Sequence, residues 1–116
     1  RPAGTHQRAF FEPGHAHLEW QAHAHLEWHS TNVELISMWV NPTARGKGVG
    51  DYLIQAVERW AAERGAMTLR LSVMPDNRKA TALYERHGFT DTGEPGDLLP
   101  DGVGRERVMA KSLAAV

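Results

Sequence analysis

The sequence predicts an α/β fold, a mixed sheet layered against helices. Three observations predict it. From residue 33 the order reads strand, helix, strand, helix, strand, strand. Apolar positions switch between the alternation of strands and the 3.6-residue period of amphipathic helices. The composition, with 41% hydrophobic and 23% charged residues in 116, is that of one ordinary folded domain.

The opening stretch differs from the rest. Between Arg1 and Asn32 the only members of the Val, Ile, Leu and Met set are Leu18 and Leu26. Six of the 7 histidines lie here: His6, His15, His17, His23, His25 and His29. The hexapeptide His15-Ala16-His17-Leu18-Glu19-Trp20 recurs from His23 to Trp28. Two copies are too few and too short for a solenoid. The division is therefore residues 1–32, an atypical His-rich segment, and 33–116, a conventional core. Two strands are expected in the first part, at Arg8 to Glu12 and Ala16 to Trp28, with Trp20 and Trp28 packing. His-x-His on a strand puts both rings on one face, which suits zinc or nickel, and Glu19 and Glu27 are nearby. A polar, compositionally biased duplication accounts for the same residues without a metal, and no metal is expected.

Val33 to Val40 is apolar at both parities, as a strand covered on both sides would be, and Asn41-Pro42 ends it. Simple alternation puts Glu34 on one face with Ile36, Met38 and Val40. A helix follows from Val49, its apolar face made by Val49, Leu53, Ile54, Val57, Trp60 and Ala61, with Gly65 as C-terminal cap. Leu69, Leu71 and Val73 alternate within a second strand, Met67 to Met74. Pro75-Asp76-Asn77 starts a shorter helix with Ala80, Leu83 and Tyr84 on one face and Gly88 closing it. From Phe89 onward, Pro95, Gly96, Pro100 and Asp101-Gly102 mark a long-looped hairpin that returns at about Arg105 to Leu113.

Several function classes are excluded. A formal charge of −1 lacks the positive field of non-specific nucleic-acid binding. Zero cysteines remove a disulfide framework, a thiolate zinc site and a cysteine nucleophile. No run approaches the roughly 18 apolar residues of a membrane span, and no secretory signal opens the chain, so a cytoplasmic location is expected.

Arg45-Gly46-Lys47-Gly48-Val49-Gly50 stands between a strand and a helix. A helix N-terminus offers unpaired N–H groups and about half a positive charge, a receptor for phosphate. Arg45 and Lys47 add cations. A P-loop would need Ser or Thr after Lys47, where Gly48 stands. A Rossmann fingerprint would need glycine at Asp51. The remaining pattern, Arg-x-x-Gly-x-Gly, suits a metal-free wrap around one pyrophosphate; a plain tight turn is the other reading.

These residues resemble motif A of the GNAT superfamily of acetyl-CoA-dependent N-acetyltransferases. Asn77 to Tyr84 followed by Gly88-Phe89 resembles that family's motif B. The resemblance covers about residues 33 to 113, with the N-terminal part shortened or atypical. It implies a mostly antiparallel sheet with one splayed parallel pair and flanking helices. It implies acetyl-CoA as co-substrate, held by Met38, Trp39, Val40, the loop Arg45, Gly46, Lys47, Gly48, Val49 and Gly50, and by Asn77 and Tyr84. A backbone N–H near Met38 to Val40 would stabilise the oxyanion, and Tyr84 would protonate the departing thiolate. Tyr84 also fits as a core residue, and Asn77 as a helix cap. Glu34 is the candidate general base, with an exposed strand-start carboxylate as the bland reading; His87 is a second base by chemistry, better placed for capping.

The function expected is transfer of acetyl from acetyl-CoA to a primary amine by direct attack. The alternatives are a non-catalytic acyl-CoA-binding remnant or interaction module, and a His-rich metal-binding protein. The partners expected are acetyl-CoA, an amine acceptor and a second copy of the chain, with neither nucleic acid nor membrane.

Overall fold

The structure, a computed structural model, describes residues 5–11 and 22–113. Its elements in chain order are β1 (Thr5–Phe11), β2 (Ala22–His29), β3 (Asn32–Val40), α1 (Val49–Glu63), β4 (Thr68–Val73), α2 (Arg78–Arg86), β5 (Thr90–Leu98) and β6 (Arg105–Ser112). A single turn of 3-10 helix, Pro42–Ala44, links β3 to the glycine loop. The strands form one sheet in the order β1-β2-β3-β4-β6-β5. Only β3 and β4 pair in parallel among the described residues. The sheet is thus mixed and mostly antiparallel, as expected.

The second copy of the repeat is β2. Ala22, Ala24, Leu26 and Trp28 are buried, and His25, Glu27 and His29 take the other parity. Trp28 packs on Trp60 of α1, ring centroids 5.9 Å apart. A segment poor in aliphatic residues therefore still contributes to the common core, and the sheet runs without a break across residue 32. The first repeat copy, with Glu19 and Trp20, and the end of the expected first strand at Glu12 lie outside the described residues.

β3 departs from simple alternation. Leu26 pairs with Leu35 but His25 pairs with Ser37, which leaves Ile36 as the extra residue of a β-bulge. The bulge reverses the parity. Val33 and Leu35 are buried, and beyond the bulge Met38 and Val40 rejoin that same core face, opposite the buried Ala24 and Ala22. The expectation that Glu34 shares a face with Met38 and Val40 is therefore wrong. Glu34 points to the opposite side of the sheet, and Ile36 is 44% exposed. The expectation of a strand covered on both faces fails with it.

Both helices lie on one side of the sheet. Two successive crossovers, β3-α1-β4 and β4-α2-β5, step in the same direction along it, and right-handed crossovers then use the same face. α1 buries Val49, Leu53, Ile54, Ala56, Val57 and Ala61 against it. α2 adds Tyr84, whose ring lies 5.8 Å from that of Phe89. Among the described residues no helix covers the other face. At the β5–β6 hairpin a Cβ on Gly96 would stand 2.3 Å from the Glu106 carbonyl oxygen, so only glycine fits that close approach.

Candidate active site

The parallel ladder between β3 and β4 ends at Leu35–Leu71. β3 runs on to Val40 and β4 to Val73, but beyond that rung they no longer pair. The splay begins where the bulge begins, since a bulged strand bends away from its neighbour. It exposes one backbone edge of Ser37 to Val40, whose other edge is held by β2.

Beside this edge is a cavity of about 750 Å³, within the usual range of ligand sites. Met38, Trp39 and Val40 form one wall, and Arg45, Gly46, Gly48, Gly50 and Asp51 form its end. α2 supplies the opposite wall through Asn77, Lys79, Ala80, Leu83 and Arg86.

The loop is pinned to the strand it follows. Asn41 Oδ1 accepts from the Thr43 N–H at 3.0 Å, and Arg45 Nε donates to the Val40 carbonyl at 3.0 Å. Gly46 and Gly48 have φ of 77° and 79°, and a Cβ on either meets nothing within 4 Å. Backbone conformation, not crowding, requires glycine there. Gly50 faces α2: a Cβ there would meet the Leu83 side chain at 3.4 Å, an ordinary packing contact, where α2 crosses the first turn of α1. The N–H groups opening α1 have no earlier helical carbonyl to bond and lie at the cavity's end. With Arg45 and Lys79 they make that end a receptor for a negatively charged group.

Asp51 also belongs to this end, but its charge is balanced. His87 Nε2 is 2.7 Å from Asp51 Oδ1, and Arg86 donates to the same oxygen at 2.9 Å and 3.2 Å. The bond with His87, then that with Arg86, hold the Asp51 carboxyl below the usual carboxylate range. His87 is also the C-cap of α2, the capping role its sequence context suggests.

The sequence-derived candidates separate into groups. Met38, Trp39, Val40, Arg45, Gly46, Gly48, Gly50 and Asn77 line the cavity. Asn77 also caps α2, accepting from the Ala80 N–H at 3.1 Å, so its two expected roles coexist. Lys47 is exposed and Val49 is buried in the core; neither side chain lines the cavity. Tyr84 is buried in the core against Phe89 and does not line the cavity; burial pushes its phenol pKa up. Glu34 lies on the far face, 3.4 Å from His29.

Lys79, Leu83, Arg86 and Asp51 are lining residues that the sequence reading did not name as site residues, although Lys79 and Leu83 lie within its motif B stretch. The first three are spaced i, i+4, i+7, one stripe of α2. That spacing is visible in the sequence, but which way the stripe faces is not.

Residues 14–89 match the Acetyltransferase (GNAT) family. The chain belongs to that family. The match begins upstream of residue 33, where the motif resemblance starts, so the His-rich segment is partly within the family's domain. Mycothiol acetyltransferase of Jonesia denitrificans is 41% identical over 61 residues, covering 53% of this chain and 19% of that protein. The chain spans 37% to 44% of the length of other curated relatives it matches. The structure of the ribosomal-protein-S18-alanine N-acetyltransferase from Escherichia coli superposes with a TM-score of 0.78 at 24% identity, over 96% of this chain and 71% of that one. PaiA N-acetyltransferase from Thermoplasma acidophilum, solved in complex with coenzyme A, has a TM-score of 0.67 at 22% identity, over 80% and 54% of the two chains. These likenesses establish the GNAT fold. The splayed strands, the glycine loop and the α1 N-terminus are the parts of this chain that fit the acetyl-CoA of its family.

Proposed function

We propose that the protein is an N-acetyltransferase that moves an acetyl group from acetyl-CoA to a primary amine. The observation that carries this reading is the parting of β3 and β4 after Leu35–Leu71, beside a cavity that ends at the N-terminus of α1. The residues fit the donor molecule. Opening N–H groups of α1 and the loop Arg45 to Gly50 suit a pyrophosphate, with Lys79 and Asn77 on the facing helix. The free edge of β3 suits an extended chain with amide groups, bound as an added strand. Bound acetyl-CoA supplies a thioester whose carbonyl carbon the amine attacks while the thiol leaves.

The chain's own groups do the rest. Anchoring at the loop orients the reacting carbonyl at β3, which lowers the barrier by positioning. A backbone N–H between Met38 and Val40 stabilises the developing oxyanion. Tyr84 keeps its proton at neutral pH, helped by burial, and gives it to the departing thiolate. Glu34 accepts the amine's proton. It projects from the sheet face away from the helices, one residue before the ladder ends, so the acceptor reaches the splay from that side. In this reading the enzyme is cytoplasmic and homodimeric, and sedimentation as a folded monomer would remove the second point.

Thioester consumption with a panel of primary amines tests the proposal, beside calorimetry with acetyl-CoA. Binding with turnover supports it. Binding without turnover on any amine points to a non-catalytic acyl-CoA-binding module, and absence of binding overturns both.

A further inference from the structure

The sheet face away from the helices holds a cluster built by the β2–β3 hairpin. Glu27 and Glu34 sit directly opposite each other across the two strands. Like charges in that relation repel. Arg70, the parallel partner of Glu34 on β4, turns its guanidinium to Glu94 at 3.0 Å. His29 instead stands between the carboxylates, Nε2 lying 2.8 Å from Glu27 Oε1 and 3.4 Å from Glu34 Oε1. That nitrogen is screened from solvent, with a carboxylate oxygen of Glu27 within ion-pair range. The hairpin turn fixes the arrangement: Ser30, at φ 63°, holds His29 opposite Asn32.

We propose that Glu27, His29 and Glu34 form a binding site for one divalent first-row ion of the zinc type, with water completing its coordination. Three ligand atoms, one imidazole nitrogen and two carboxylate oxygens, lie within 4.8 Å of one another. Bonds of about 2.0–2.1 Å to a tetrahedral ion space its ligand atoms by about 3.3 Å, a small adjustment from the observed separations. The nitrogen favours zinc, nickel or copper over magnesium and calcium. The site is on the opposite side of the sheet from the cavity, and its residues differ from the paired histidines of the repeat.

Calorimetric titration of the full chain with Zn²⁺ tests this, run beside His29→Ala, Glu27→Gln and the double variant His15→Ala with His17→Ala. The expected result is one tight equivalent, retained by the double variant and weakened at least tenfold in the other two. Unfolding temperature adds a second reading. Glu27→Gln is expected to lose the rise in unfolding temperature that Zn²⁺ gives the wild type. Equal affinity in His29→Ala and wild type, or loss of the site in the double variant, overturns the proposal. A Glu27→Gln that keeps its Zn²⁺ affinity makes the cluster a structural ion pair, and also overturns the proposal. An ion held by Glu34 occupies the carboxylate that the proposed mechanism uses as base, so occupancy is expected to suppress acetyl transfer. The readouts are binding and stability, which separate failure of the site from failure of that mechanism.

Discussion

Gly48→Ala tests the phosphate receptor through a single methyl group. Gly48 is the N-cap of α1, at φ 79° and ψ 7°. The added Cβ has no neighbour within 4 Å, so the whole perturbation is backbone strain, with no steric term. An L-residue held in the left-handed region costs about 1–2 kcal/mol. The chain can meet that cost in two ways. It can keep φ positive and lose that much stability, lowering the unfolding temperature by roughly 4 °C or more per kcal/mol. Or it can relax the turn, keep its stability and swing the opening N–H groups of α1 off the ligand, in which case about 1–2 kcal/mol appears as acetyl-CoA affinity weakened roughly 5- to 30-fold. Differential scanning calorimetry and titration with acetyl-CoA together read both. The two losses are expected to sum to about the same strain. An unchanged melting temperature with unchanged affinity would refute the argument that this φ is required.

Tyr84→Phe is expected to lower turnover by about 10²-fold or more with acetyl-CoA affinity unchanged; parallel losses in both, measured by steady-state rates and calorimetry, would make Tyr84 a packing residue. Asp51 has a carboxyl pKa lowered by His87 and Arg86, so the unfolded chain binds the proton first as pH falls and the contribution is present above about pH 4 and lost below it. Melting temperatures from pH 6 to 2 are expected to fall less steeply in Asp51→Asn than in the wild type. Gly96→Ala drives a Cβ into the Glu106 carbonyl, and chemical denaturation is expected to register a loss of about 1–3 kcal/mol as β5 and β6 separate.

Much of the fold was legible because its signals are local. The face of α1 from Val49 to Ala61, the caps Asn77 and Gly65, and the alternation of Leu69, Leu71 and Val73 depend on neighbours within a few residues, and each appears where expected. The loop Arg45 to Gly50 was recognisable for the same reason. The cavity's other wall was less so. Arg86 lies outside both motif stretches, and it and Lys79 reach the site only because α2 crosses the first turn of α1 at Gly50 and Leu83.

Chain order and side-chain periodicity were enough to announce an α/β layer, an anion-receiving turn and membership of a family. They could not announce the bulge. Ile36 looks like any strand residue, and it becomes the extra one only because Leu26 pairs with Leu35 while His25 pairs with Ser37. That slip of one position sends Met38 and Val40 back to the core, away from the face on which Glu34 stands beside Glu27 and His29. A strand's period is two residues, so where a side chain ends up depends on register with a partner strand, and register is a property of the assembled sheet.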